Sequence, residues 1–425
     1  MSTIRAVRVL PLLMTSLLLS APPAFAAGGG LDPSFSGNGL QLTDFAADYD
    51  GALDLAIQDD GKIVAVGYAG VGGSVEFGVA RFRRGGALDT TFSGDGKRMV
   101  DLGSGSSQAN AVIIQDDGKI VVAGYAETAT GRDFALARLR PGGGLDPTFS
   151  GDGKKTTDLG SDLEEIYGVG VRLDGKIVVA GYTFGTDSDL ALARYRPNGA
   201  LDTTFSGDGR RVIDLGGDEA IWAMTLLPNG KVLGVGEAFG DADKDFLLAR
   251  FRAGGALDGT FSGDGRTLTD FGGTEQANAI AIGPDGKIVL AGTANLGADD
   301  EFAVARYGPS GGLDETFSGD GKRIPPLSLA GDQAHGVVVQ PDGKIVVAGY
   351  AWNGSDDDYV VVRLRPGGGF DPTFRDEDDG IAYIGFGFGH DDGFALARQP
   401  DGRLVVAGYA DNGVNDDFGL VRLLA

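Results

Sequence analysis

The chain has 425 residues, 74 of them glycine and none cysteine, and its 60 acidic side chains against 36 basic ones give a formal net charge of −24. So acidic a surface repels polyanions and anionic lipid, which excludes nucleic acid as a partner. Without cysteine there are no disulfides, no thiol catalysis and no lipid anchor through a cysteine, so packing and sheet hydrogen bonds must supply the stability.

Residues 1–26, MSTIRAVRVLPLLMTSLLLSAPPAFA, carry Arg5 and Arg8, then an apolar run from Val9 to Leu19, then Ala24-Phe25-Ala26. This is the pattern of a cleavable secretory signal. The run falls short of the roughly 20 residues of a membrane helix, and no later stretch approaches that length. The expectation is a secreted or periplasmic protein, not inserted in a membrane, whose residues 27–425 form a single domain.

The first strand-like stretch, GLQLTDF (39–45), stands alone. From there one unit recurs, and in its second copy the strands read ANAVIIQ (109–115), KIVVAGY (119–125), FALARLR (134–140) and KKTTDL (154–159). Asp117-Gly118 marks a hairpin between the first two, since Asp-Gly between apolar runs favours the tightest turns. IVVAG is apolar at consecutive positions, as in a strand covered on both faces. The linking phrase LDPTFSGDGK recurs in variants that begin at Leu31, Leu88, Leu145, Leu201, Leu257, Leu313 and Phe370, in steps of 57, 57, 56, 56, 56 and 57 residues. Such a period marks a solenoid, an array or a propeller. The chain ends with FGLVRLLA (418–425), a third-type strand with no fourth, which complements the orphan strand at 39–45. Together they make one complete sheet and close a ring without exposed edges. The predicted fold is therefore all-β, a seven-bladed β-propeller of four-stranded antiparallel blades, with the N-terminal strand completing the C-terminal blade. IPPLSL (324–329) and RDEDDG (375–380) depart from the repeat and predict local irregularity.

The phrases LDPTFSGDGK, DGKIVVAGY and FALARLRPGG resemble the delta-60 repeats of secreted bacterial proteins across residues 31 to 425. That resemblance implies a β-propeller-like fold and brings no catalytic residues with it.

Within the phrase, Asp32, Asp89, Asp146, Asp202, Asp258, Asp314 and Asp371 precede a glycine-rich turn whose free N–H groups a short carboxylate can accept. The phenylalanine that follows, Phe149 in the second copy, is expected to plug the gap between neighbouring sheets. The turns could alternatively be calcium loops, but they lack dense alternating carboxylates and a late glutamate, so no cofactor is expected in them. A repeated arginine (Arg81, Arg138, Arg194, Arg250, Arg306, Arg363, Arg422) suggests a structural ion pair, with the fourth-strand Asp44, Asp101, Asp158, Asp214 or Asp270 as its candidate partner.

Function is sought where the copies disagree. Eight residues before each hairpin glycine stand Leu53, Asn110, Tyr167, Trp222, Asn278, His335 and Phe394, at the start of what should be the innermost strand. Three residues earlier the positions are mostly acidic, and Glu164, Glu219, Glu275, Asp332 and Asp391 are expected to form a rim. Trp352, in an acidic loop on the same face, completes the candidate set. Aromatic rings and amides among carboxylates suit a glycan, a cationic group or a protein surface. The same side chains could instead merely fill a channel mouth. The leading function is a non-catalytic binding scaffold, monomeric. The alternative is a polysaccharide hydrolase or lyase using carboxylates of that face. A metal site from His335, His390, Asp332 and Asp391 is a weaker option.

Overall fold

A computed structural model describes residues 28–425 apart from Ala47, Ser104, Asp241, Ala298, 328–330 and 376–378. The expected leader over 1–26 lies outside the described residues, as does part of the departure at 375–380.

Each copy folds as an antiparallel meander. In the second, Ser107–Ile114, Ile120–Glu127, Arg132–Leu139 and Lys154–Thr157 pair in chain order. Ile120 to Ala126 are buried without a break, as the continuous apolar run requires. The hairpin before them is wider than Asp-Gly alone suggests. Gly118 N–H donates to Gln115 O, Gln115 N–H donates to Lys119 O, and Gly118 takes φ 77°. This is a type I turn followed by a left-handed bulge residue, so glycine is needed after the turn and not inside it.

The 28 strands among the described residues make five sheets of four strands and one of eight, and no helix occurs among those residues. The eight-stranded sheet is two consecutive meanders joined by a single parallel bridge, Leu163 to Arg132. Leu40–Thr43 pairs with Asp416–Leu423, so the first described strand is fourth in the sheet of the last three. One apolar cluster likewise unites Phe35, Ile63 and Phe82 with Val405, Phe418 and Leu420. At 322–327 the fourth strand shrinks to Lys322 and Arg323, because Pro325 and Pro326 have no N–H for a ladder.

The recurring phrase builds the junction between sheets. Asp146 Oδ1 accepts the N–H and the hydroxyl of Thr148 at 3.1 and 2.8 Å, fixing the turn. Phe149 is fully buried and packs with strands of both adjoining repeats. The ion-pair expectation needs correction: the partner of Arg138 is Asp146, eight residues on, and not a fourth-strand aspartate. The same pair forms in all seven copies at 2.7 to 3.0 Å. Each guanidinium also lies 4.4 to 4.9 Å from the centre of its phenylalanine ring. Arg138 Nη1 donates across the junction to Pro197 O at 2.6 Å, and Arg422 of the last copy donates to the carbonyl of Arg84 in the first. The fourth-strand aspartates are acceptors for their own turn instead, as Asp158 Oδ1 is for Gly160 N–H at 2.6 Å.

Each first strand is bulged at one place, where the pairing skips Leu53, Asn110, Tyr167, Trp222, Asn278, His335 and Phe394. A bulge re-aims a side chain and pushes the neighbouring carbonyl toward the partner strand. The second strand yields the space by using glycine. A Cβ on Gly181 would stand 1.8 Å from Glu165 O, and similar clashes of 1.8 to 2.0 Å recur at Gly67, Gly124, Gly236, Gly292, Gly349 and Gly408. Gly181→Ala should therefore lower stability by about 1–3 kcal/mol, the cost of forced overpacking. Gly185→Ala, with nothing within 4 Å of the new atom, should change it by less than about 0.5 kcal/mol. Denaturation midpoints of the two variants check this, and equal midpoints would remove the bulge from the account.

Candidate functional site

The seven bulged residues meet. All of them line one cavity of about 450 Å³, to which all seven first strands contribute. Bulging explains why: each of these residues falls out of the ladder and turns toward the cavity, and the residue after it lines the cavity too.

Their chemistry divides the wall. On one side Tyr167 and Trp222 make an edge-on contact with centroids 4.5 Å apart, and Tyr182 stands 5.5 Å from the indole. On the other, His335 lies 4.9 Å from Phe394 and 5.6 Å from Tyr350. Between them, Asn110 Nδ2 donates to Ile166 O and Asn278 Nδ2 to Ala334 O, both at 3.0 Å. These two amides staple one first strand to the next. Tyr167 is anchored through its hydroxyl, which donates to Glu165 Oε2 at 2.7 Å.

Two polar atoms of the wall are buried with no hydrogen-bond partner, Trp222 Nε1 and His335 Nε2. Burial pushes the His335 imidazole down to about 4, so it is neutral at pH 7. The indole is an obligate donor, and the imidazole nitrogen is donor or acceptor according to tautomer.

The acids expected as a rim are elsewhere. Glu164, Glu219, Glu275, Asp332 and Asp391 are all at most 1% exposed and none lines the cavity. Their side chains turn back to accept backbone N–H groups at the entry to the strand: Leu159 on Glu164, Leu215 on Glu219, Gly273 on Glu275 and Phe386 on Asp391, at 2.6 to 2.9 Å. Burial raises Glu219, Glu275 and Asp391 to about 7. Trp352 also lies off the cavity, half-buried at the end of Ile345–Trp352 opposite Asp357. His390 is exposed and pairs with Asp357 at 3.1 Å, so the metal set of His335, His390, Asp332 and Asp391 is not assembled.

Sequence reasoning missed other residues of the wall, among them Asp54, Gln108, Gln276 and Met224. The signal was available, because residues one or two places from a bulged position share its face. Asp54 is the one carboxylate among the lining residues. Its oxygens accept Val112 N–H at 2.7 Å and Leu55 N–H at 2.8 Å, and burial raises it to about 7.

Seven stretches, 58–92, 115–149, 173–205, 227–261, 283–317, 340–374 and 399–425, match the family described as domain of unknown function (DUF5122) beta-propeller. The chain belongs to this family. Each of the first six DUF5122 matches opens near the hairpin and runs through the junction phrase, so it takes in the Arg–Asp–Phe joint, and all seven leave the bulged position outside. Among solved structures the chain is similar to a catalytically inactive virginiamycin B lyase from Staphylococcus aureus with quinupristin, at 12% identity, over 91% of this chain and 99% of that one, with a TM-score of 0.54. It is similar also to the selenomethionine-substituted lyase of the same organism, at 12% identity, 91% and 99% coverage and a TM-score of 0.52. At such identity the likeness is one of fold. No curated protein matches the chain.

The neutral His335 makes a test of this wall. Its folded-state pKa lies below the unfolded value of about 6.5, so its contribution is complete above pH 6.5 and is lost as pH falls toward 4, by about 3 kcal/mol in all. His335→Phe keeps the ring contacts and removes the titration. As pH is lowered from 7 to 4, the melting temperature of the natural protein should fall further than that of the variant. The raised acids oppose this trend but are common to both proteins and cancel. Parallel curves would mean that His335 is solvated.

Proposed function

We propose that the protein is an exported, non-catalytic binding propeller that takes an uncharged polar ligand of the glycan class in the cavity ringed by Tyr167, Trp222, His335 and Phe394. The observation that carries this reading is the wall itself, in which the rings of Tyr167, Trp222, His335 and Phe394 and the amides of Asn110 and Asn278 surround one cavity. Rings and amides together suit the mixed apolar and hydroxyl surface of a sugar. A sugar also offers C–H faces for the rings of Tyr167 and Trp222. A cationic ligand is less well served: Asp54 is already engaged by two N–H groups, and the other expected acids face away. The same fact argues against a glycoside hydrolase, because a carboxylate pair needs a second acid in the cavity. The cavity lies in the range of roughly 300–1,000 Å³ usual for small-molecule sites.

Two further parts of the reading stand beside it. We take the sheets as seven blades of a closed ring, of delta-60 type, supported by the pairing of Leu40–Thr43 with the last sheet and by the Arg422 contact to the first repeat. Export to the periplasm or the medium is supported by the leader pattern at 1–26.

A glycan array probed with the natural protein and with Trp222→Ala tests the site. Binding to the recognised glycans should weaken about 5- to 150-fold on loss of the indole, the range for one aromatic anchor. Asp146→Asn, at a junction, should lower the melting temperature and leave affinity unchanged. Glycan binding that survives Trp222→Ala intact would move the site away from this cavity. For closure, deleting residues 27–46 leaves the last sheet with an open edge, so the truncated protein should melt earlier and aggregate. A monomer of unchanged stability would sink the ring.

A further inference from the structure

We propose that the protein binds calcium at a carboxylate triad formed by Asp189, Asp214 and Glu219, and at three copies of that triad at other junctions. Asp189 lies in Ser188–Tyr195, Asp214 follows Arg210–Ile213, and Glu219 opens Glu219–Leu226 in the next repeat. One oxygen from each comes within 4.8 Å of the others. Two oxygens that both touch an ion at about 2.4 Å are at most about 4.8 Å apart, so this spacing suits calcium. Water would supply the remaining ligands of an ion that takes six to eight oxygens.

The triad is built for something other than its own hydrogen bonds. Glu219 is 1% exposed; its Oε1 accepts Leu215 N–H at 2.9 Å, while Oε2 is buried without any partner. Asp189 Oδ1 is buried and unpartnered too. Asp214 is oriented by Gly216 N–H, which donates to its Oδ1 at 2.7 Å. The charged neighbours acting on Asp189 and Glu219 are other acids, Asp214 among them in both cases, and burial followed by these acids pushes both carboxyls up. Three acids so gathered are stable only if protons or a cation relieve them.

Repetition supplies the control. Asp44, Asp50 and Asp417, then Asp133, Asp158 and Glu164, then Asp245, Asp270 and Glu275 make the same cluster. Asp417 Oδ1 and Glu275 Oε2 are again buried without partners. At the three remaining junctions one member is replaced, by Ser107, Pro326 or Gly385. The triads are separate from the turn aspartates weighed for calcium from the sequence. Those are engaged already, as Asp202 is by Arg194 at 2.8 Å and Lys176 at 3.0 Å. An ion in a triad ties the third and fourth strands of one repeat to the first strand of the next. None of this involves the cavity, so the proposal stands independently of the glycan reading.

The full chain, stripped with chelator, is dialysed against calcium alone, and bound metal is counted. Four ions per chain are expected, with a melting temperature several degrees above that in chelator, since an ion bound only by the folded state stabilises by mass action. The double variant Asp189→Asn with Glu219→Gln should lose one ion. If that variant does not fold, Asp214→Asn, at an exposed position, should weaken one site at least 10-fold. Asp101→Asn, at the junction completed by Ser107, should lose none. No calcium bound at millimolar free ion, or binding that the triad variants leave intact, would overturn the proposal.

Discussion

Seven meanders of four strands, each too small to bury a core alone, must be joined face to face, and a buried arginine–aspartate pair sets how. Arg138 reaches its aspartate, its threonine, its phenylalanine ring and a carbonyl of the following repeat at once. Stripping water from two charges is costly, and the pair is sustained because each of the three guanidinium nitrogens donates a hydrogen bond. Removing one member would strand the other, which costs more than an exposed pair would contribute. The joint thus fixes the angle between sheets and leaves the strands within each sheet to ordinary ladder pairing and apolar packing.

Charge is distributed in accordance with that division. Where the acids meet arginine and lysine, at the turn phrase, they are neutralised locally and hold shape. At the opposite ends of the strands they gather with each other, as buried Glu219 does with half-buried Asp189 and exposed Asp214. The cavity between the first strands contains a single carboxylate. A strongly acidic protein therefore presents a nearly neutral interior wall, which net charge alone would not suggest.

The strands, the sheet order and the convergence of the seven divergent positions were legible in the sequence because one period indexes them all. What was not legible was direction. Glu219 lies three residues before Trp222 in the chain, which suggested a rim, yet its side chain bends back to Leu215 N–H and leaves the cavity wall. Arg138 was matched to the wrong acid because its true partner, Asp146, is separated from it by a loop whose course the spacing does not reveal. Asp54 lies one place past the divergent position, where the other six copies have alanine or glycine, and spacing alone does not reveal that a bulge brings it to the same surface. The orphaned atoms at Trp222, His335, Glu219 and Asp189 require coordinates, since a sequence shows which groups exist and not which have partners.

The bulge and its facing glycine separate two kinds of information. The backbone distortion is produced by the carbonyl–glycine fit, as between Glu165 O and Gly181, and makes no demand on the side chain at the distorted position. Leucine, asparagine, tyrosine, tryptophan, histidine and phenylalanine all occupy it here on the same framework. Each repeat is thus a cassette with one editable letter. Seven such letters compose the wall, so its chemistry can be rewritten one residue at a time, or whole repeats shuffled, without renegotiating the sheet that carries them.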